Sequence, residues 1–218
     1  MSDGSGQRLL RFDRRLGVRF VAGADEAGRG SLAGPLVVAG VLLDYDALRG
    51  ARVRCLATLN DSKQVAPEDR EELFRAVVGC ATAISVRVIP SGEIDRAGLH
   101  RSNLGGLRAV LTDLHPHAGA YLVDYFELGP TAFSPQAIVH GDTKSAAIAA
   151  ASIVAKVMRD RAMRRLDALY PCYGFASHLG YITPRHSLAV RAHGPCDQHR
   201  LSFNAKAYAT EELLAVAS

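Results

Sequence analysis

Gly23-Ala24-Asp25-Glu26-Ala27-Gly28-Arg29-Gly30-Ser31-Leu32-Ala33-Gly34-Pro35 decides how the rest of this chain is read. It starts inside a β-prone run, Arg19 to Asp25, and passes through a glycine cluster into a continuous apolar run, Pro35 to Asp44. The two runs read as paired strands, the second buried on both faces. Asp25 and Glu26 therefore stand where a strand runs out into Gly28-Arg29-Gly30. Successive strand side chains point to opposite faces. The two acids can share a site only if the chain bends between them, and the following glycines permit such a bend.

Working outward, Pro67 to Val78 reads as a helix with proline in its first turn and acidic residues just after it. Thr82 to Ile89 alternates as a third strand, and Leu99 to Leu114 has helical spacing weakened by Gly105-Gly106. Ala120 to Asp124 and Ala137 to His140 are short apolar strands, each ending in or just before an aspartate. Ser145 to Leu169 is the longest helix, with Ala151, Ala155, Met158, Ala162, Leu166 and Leu169 on one face. Tyr173 to Tyr181 reads as an irregular glycine-rich loop, and Thr183 to Ala192 and Lys206 to Val216 as closing helices. With no repeat and no interior linker, one α/β domain over 17–218 is expected, with a mixed sheet and a helical C-terminal part. Residues 1–16 read as a basic, mobile extension.

Bulk properties agree with a soluble globular protein. The chain has 218 residues, 48% of them hydrophobic, a formal charge of +4 and a pI near 9.0. No apolar run is long enough to cross a bilayer, and no secretory signal is visible, so a cytoplasmic location is expected. The basic balance suits a polyanionic partner. The four cysteines, Cys55, Cys80, Cys172 and Cys196, form no CxxC pair and no zinc spacing, and read as free buried thiols.

Asp124 ends one strand and Asp142 lies just beyond another. Sites in open α/β sheets form at strand ends, so Asp25, Glu26, Asp124 and Asp142 would make one acidic pocket there. Crowded carboxylates repel and raise one another's pKa unless a cation joins them. Oxygen-only ligands favour Mg²⁺ or Mn²⁺ over zinc. Two such ions about 3.5–4 Å apart suit displacement at a phosphodiester. Any one of these acids read alone fits a turn or a helix cap better than a metal ligand.

Other chemistries fail on spacing. Gly28, Gly30 and Gly34 give GxGxxxG rather than the dinucleotide-binding GxGxxG. Asp142-Thr143-Lys144-Ser145 lacks the glycines of a P-loop, and a serine elbow at Ser31 would need glycine in place of Arg29.

The quoted stretch resembles the N-terminal signature of the ribonuclease HII family, usually DEAGRGPLAGP. Further segments are similar in the same order. They are Leu59-Asn60-Asp61-Ser62-Lys63, Gly141-Asp142 with Ile148 to Arg161, Tyr173-Gly174-Phe175 with His178 and Gly180-Tyr181, and Gly194-Pro195 with His199-Arg200 and Ser202-Phe203. The resemblance covers roughly Arg19 to Phe203 and implies an RNase H-like mixed β-sheet flanked by helices. It implies Asp25, Glu26, Asp124 and Asp142 as catalytic metal ligands for Mn²⁺ or Mg²⁺. It implies Gly28, Arg29, Gly30 and Tyr181 as readers of a ribonucleotide. Ser62 and Lys63 are candidate substrate contacts at phosphate. The 2′-hydroxyl is what separates RNA from DNA at one residue, and glycines let the backbone approach it.

The implied reaction is hydrolysis on the 5′ side of ribonucleotides in DNA duplexes and RNA-DNA hybrids, by a monomer. Ribonuclease HIII and a non-catalytic nucleic-acid-binding module of the same fold are the alternatives. Two positions depart from the pattern. Tyr125 stands where the family has glycine after the third acid, with Glu127 as a rival ligand, and Ser31 replaces the usual proline. Lys156 and Arg159 are lesser candidates for phosphate contact. His178, His186 and His199 read as bracing residues.

Overall fold

The computed structural model describes residues 5–60, Ser62 and residues 65–208. Its elements follow in chain order. Helix α1 (Ser5–Arg14) leads into strands β1 (Phe20–Ala27) and β2 (Leu36–Asp44), then α2 (Ala51–Cys55), α3 (Pro67–Cys80) and β3 (Ala83–Ile89). Helices α4 (Ser91–Ala97) and α5 (Leu99–Asp113) precede β4 (Ala120–Asp124) and β5 (Gln136–Ile138). Helices α6 (Ala146–Leu169), α7 (Phe175–His178) and α8 (Pro184–His193) complete the set, with short 3₁₀ turns at Gly141–Thr143, Leu201–Phe203 and Lys206–Tyr208.

The five strands form one mixed sheet in the order β3-β2-β1-β4-β5. β1 lies at its centre, antiparallel to β2 and parallel to β4, and β4 is parallel to β5. Parallel strands need a crossover between them, which the helical segment between β2 and β4 supplies. β2 is buried along its whole length, as its unbroken apolar run requires.

The chain divides into two compact units. The first takes in the described residues of Met1–Ala27, Val37–Arg87 and Asn103–Val157, and the second those of Gly28–Leu36, Val88–Ser102 and Met158–Ser218. In the first unit β1 and the start of α6 touch backbone to backbone. A Cβ on Gly23 would lie 2.2 Å from the Ala147 carbonyl carbon and 2.3 Å from the Ile148 nitrogen. The alanines at 146, 147, 149, 150 and 151 are fully buried for the same reason. Small residues let helix and strand approach, so this part of α6 is buried all round rather than along one stripe. Leu169, expected on the buried face, is 71% exposed at the last turn.

Several expectations need correction. The stretch expected to be mobile forms α1, because Leu9 and Leu10 are buried and Asp13 is tied into the first unit. Asp13 Oδ2 accepts from the Tyr45 hydroxyl at 2.5 Å and from the Ala147 amide at 2.9 Å, which satisfies a first-turn N–H of α6. Helices α2 and α4 were not expected, and one helical turn, α7, interrupts the glycine-rich loop. The four cysteines are free as expected, but Cys55 and Cys172 are exposed. Of the last expected helix only the turn Lys206–Tyr208 is described, and the remainder lies outside the described residues.

Candidate metal centre

The site grows out of strand register. β1 and β4 run parallel with Ala24 opposite Val123, so the next residues, Asp25 and Asp124, emerge side by side. β5 stands beside β4 with Asp124 opposite Ile138. His140 then takes φ 54° and ψ 48°, a left-handed conformation that turns the chain into Gly141–Thr143 and brings in Asp142. The Gly141 amide donates to Asp124 Oδ1 at 2.7 Å, fixing this turn against the strand end. Asp25, Asp124 and Asp142 each place a carboxylate oxygen within 4.8 Å of the others.

Burial makes this cluster costly. Asp25 is only 6% exposed. Desolvation, then the Glu26 charge, then the Asp124 charge hold its pKa well above the ordinary carboxylate range. The Glu26 amide donates to Asp25 Oδ1 at 2.7 Å and Ser152 adds a hydrogen bond, both opposing the shift. A hard cation with oxygen ligands at 2.0–2.6 Å spans about 4–5 Å between opposite ligands. The three oxygens fit that span, and such an ion would neutralise the repulsion that burial amplifies. The donor set is all oxygen, which suits magnesium- or manganese-type ions over zinc.

Glu26 is not part of the converging set. The expected bend between Asp25 and Glu26 is absent, because the β1–β2 ladder continues in register to Ala27 opposite Val37. The chain bends at Gly28 instead, with φ +88°. Glu26 lies outside the three-oxygen cluster, although its charge raises the Asp25 pKa more than that of Asp124 does. Glu127, the rival ligand, is exposed and outside the cluster too. Tyr125 adopts φ 62°, a left-handed conformation that a glycine would take without strain.

Ser62 corrects another expectation. It is buried rather than open to substrate, and its hydroxyl lies 2.9 Å from that of Ser152. Since Ser152 also bonds Asp25, a Ser62–Ser152–Asp25 chain orients the first carboxylate. Arg70 Nε donates to the Ser62 carbonyl at 2.9 Å and Arg70 Nη2 to that of Val65 at 2.8 Å, pinning both ends of this loop. Lys63 lies outside the described residues. Ser152 was missed because the alanine-rich run around it reads as packing, and a lone hydroxyl within that run was the available signal.

The second unit holds the remaining candidate residues. Arg29 and Gly30 are exposed at a turn where the Ser31 amide donates to the Gly28 carbonyl at 3.3 Å. Two fully buried arginines brace it from within. Arg200 donates through Nε and Nη2 to the Gly34 carbonyl and through Nη1 to that of Arg29. Arg159 donates through Nε to the Pro35 carbonyl and through Nη2 to that of Ala33. Arg159 is thus a brace and not a surface phosphate contact. Burial and the neighbouring Arg159 charge push Arg200 down to about 9. A Cβ on Gly28 would meet the Arg159 side chain, which explains a glycine there.

Tyr181 is 40% exposed, with the Arg159 guanidinium 5.6 Å from its ring centre. The preceding Gly180 carbonyl accepts from the Leu32 and Ala33 amides at 2.9 and 3.1 Å. His186 Nδ1 lies 2.9 Å from the Tyr181 carbonyl, and His178 Nε2 lies 2.9 Å from that of Tyr173. The histidines brace the loop, as expected.

A mixed sheet with β1 at its centre and acids gathered at adjacent strand ends defines an RNase H-like α/β protein with an all-oxygen candidate metal centre. Residues 22–206 match the family Ribonuclease HII. The chain is 46% identical over 198 residues to the ribonuclease HII of Acidothermus cellulolyticus, covering 89% of this chain and 63% of that protein. It is 44% identical over 200 residues to the ribonuclease HII of Geobacillus kaustophilus, covering 90% of this chain and 74% of that one. The crystal structure of the ribonuclease H2 from Pyrococcus horikoshii superposes with a TM-score of 0.72 at 27% identity, over 87% of this chain and 95% of that one. The chain belongs to the ribonuclease HII family. No helix among the described residues is long and apolar enough to cross a membrane.

Proposed function

We propose that the protein is an endonuclease that hydrolyses the phosphodiester on the 5′ side of a ribonucleotide embedded in a DNA duplex or an RNA-DNA hybrid. Water oxygen bonds to phosphorus, the P–O3′ bond breaks, and the 3′ oxygen takes up a proton. The products are a 3′-hydroxyl and a 5′-phosphate. The observation that carries this reading is the meeting of Asp25, Asp124 and Asp142 oxygens within 4.8 Å.

Asp25, Asp124 and Asp142 would hold divalent cations, Mg²⁺ or Mn²⁺, with Glu26 as the fourth acid at the margin. Such ions, two in the full reading, supply Lewis-acid polarisation of the phosphodiester and charge neutralisation at the departing oxygen. The chain's own residues do the rest. Ser152, backed by Ser62, keeps Asp25 aimed. The backbone of Gly28, Arg29 and Gly30, held at the Arg29 carbonyl by Arg200, reads the 2′-hydroxyl. The exposed part of the Tyr181 ring packs on the adjacent sugar. Lys63 contributes a phosphate contact, and the protein works as a monomer.

The test is a labelled duplex with a single internal ribonucleotide, incubated with Mg²⁺, with Mn²⁺ and with EDTA. Cleavage with either ion, at one position, leaving an end that a polymerase extends, is expected. Asp124→Asn should remove it. Cleavage that persists in EDTA, or an all-DNA duplex cut equally well, would refute the proposal.

A further inference from the structure

In the first unit, α1 and the turn after Asp142 border an open concavity of about 230 Å³ that the reaction above leaves unused. Its walls are Arg8, Arg11, Phe12 and Arg15 from the N-terminal segment, with Thr143 and Lys144 opposite. Four cationic side chains line one small space with no carboxylate among the lining residues. Arg8 and Arg11 stand one turn apart on one face of α1, and Arg15 follows in the turn just past its end, its amide donating to the Arg11 carbonyl. The other face of α1 is committed inward through Leu9, Leu10 and Asp13. Arg14 is used differently, donating to the Leu48 carbonyl at 2.8 Å. Cationic side chains facing one concave space raise the local positive potential, which favours an anion there.

We propose that this concavity is a second phosphate-binding site, in which α1 and Lys144 grip the nucleic-acid backbone a few nucleotides from the cut. Chain geometry sets the distance. Lys144 follows Asp142 by two residues, so their Cα atoms are at most about 7 Å apart. A duplex strand presents a phosphate about every 3.4 Å along its axis. A strand seated at Asp142 therefore carries its neighbouring phosphates past Lys144. Arginine forks suit phosphate oxygens, and Phe12, half-buried in the wall, gives a sugar an apolar surface. Because it concerns the same substrate, this inference rests on the nucleic-acid reading above. The N-terminal helix becomes part of the substrate surface.

The test uses the full chain and an Arg8→Gln/Arg11→Gln/Arg15→Gln variant, with Lys144→Gln made separately. All four positions are exposed, and glutamine keeps helix propensity, so thermal midpoints should stay close to that of the parent. Duplex binding in EDTA is followed against salt. Each phosphate that the protein no longer neutralises flattens the slope of log K against log salt by about 0.9, so the triple variant should show a slope shallower by about 2–3. In Mg²⁺ its KM should rise roughly tenfold or more with kcat within about twofold, a pattern of weakened ground-state binding. Shortening one arm of the duplex should weaken the parent and leave the triple variant indifferent. An unchanged slope, or a fall in kcat at constant KM, overturns the inference. The binding slope is read whether or not the parent cuts. A parent that fails to cut therefore refutes the nuclease reading alone, and a parent that cuts beside an unaltered variant refutes this one alone.

Discussion

His186 Nε2 and His199 Nε2 lie 3.1 Å apart, both rings buried in the second unit. Two ring nitrogens at that distance need one proton between them, so a second proton forces two donors together. Their outer partners settle which ring donates. The Cys196 amide donates to His199 Nδ1 at 3.0 Å, so His199 carries its proton on Nε2 and gives it to His186. His186 then carries its proton on Nδ1 and donates to the Tyr181 carbonyl at 2.9 Å. Both rings are neutral in this arrangement. Burial, then the neighbouring His186, pushes His199 down to about 4, and burial lowers His186 as well.

Acid should therefore weaken the second unit through this pair. The folded pKa of His199 lies below its unfolded value of about 6.5, so its contribution is complete above pH 6.5 and is lost as pH falls toward 4. The loss should be on the order of 2–3 kcal/mol. Urea unfolding at pH 7, 6, 5 and 4 measures it, and His199→Gln should show a flatter profile from a lower starting stability. Equal pH slopes for parent and variant would contradict the neutral-pair account.

Asp13 should act with the opposite sign. Burial raises its pKa to about 6, against hydrogen bonds from Tyr45, Ser145 and the Ala147 amide that lower it. Its folded pKa lies above the unfolded value, so its contribution is complete below about pH 4 and is lost as pH rises through 6. Some 3 kcal/mol, roughly, is at stake. Asp13→Asn should remove that pH dependence while keeping one oxygen for the Tyr45 hydroxyl and the Ala147 amide. The difference between parent and variant, followed by thermal melts from pH 4 to 7, should therefore change in the variant's favour as pH rises. A constant difference would mean that the Asp13 pKa is the same in the folded and unfolded chain.

Asp13 also marks where the sequence stops speaking. The five strands and the helices α3, α5, α6 and α8 are legible because apolar periodicity and chain punctuation act locally. The helix α1 is not, since its order depends on Tyr45 and Ala147, far away in the chain. The acids are legible as strand-end residues, and three of the four converge because strand register carries them there. Glu26 lies outside that cluster, and the ladder continues in register to Ala27 where the glycines ahead suggested a bend. Ser62 looked like a surface contact from its motif, and only the fold shows its hydroxyl turned toward Ser152.

Ser31, which replaces the family's proline, should be a weak point. It is fully buried, and its hydroxyl has no hydrogen-bond partner among the described residues. A buried hydroxyl left unpaired costs about 1–3 kcal/mol. Ser31→Ala removes the oxygen and keeps the amide that donates to the Gly28 carbonyl. Stability should rise by about 1 kcal/mol, seen as a higher denaturant midpoint at unchanged m-value. A drop in midpoint would show that the hydroxyl is satisfied after all.

Asp25 should trade stability against activity. Its carboxylate is buried beside the Glu26 and Asp124 charges, which raise its pKa after desolvation has done so. Asn takes the Asp25 carboxylate out of this group of acids and keeps an oxygen for the Glu26 amide. Without divalent metal, Asp25→Asn should be more stable than the parent by about 1–2 kcal/mol, because a functional carboxylate is held at a cost. Metal reverses the order. An ion that binds only the folded parent stabilises it by about 2.7 kcal/mol at a hundred times its dissociation constant. Melting curves with EDTA and with increasing Mn²⁺ should therefore cross, the variant leading at first and the parent overtaking it. Cutting should be lost in the variant throughout. If the variant gained from Mn²⁺ as much as the parent, Asp25 would not be a ligand, and its burial would need another explanation.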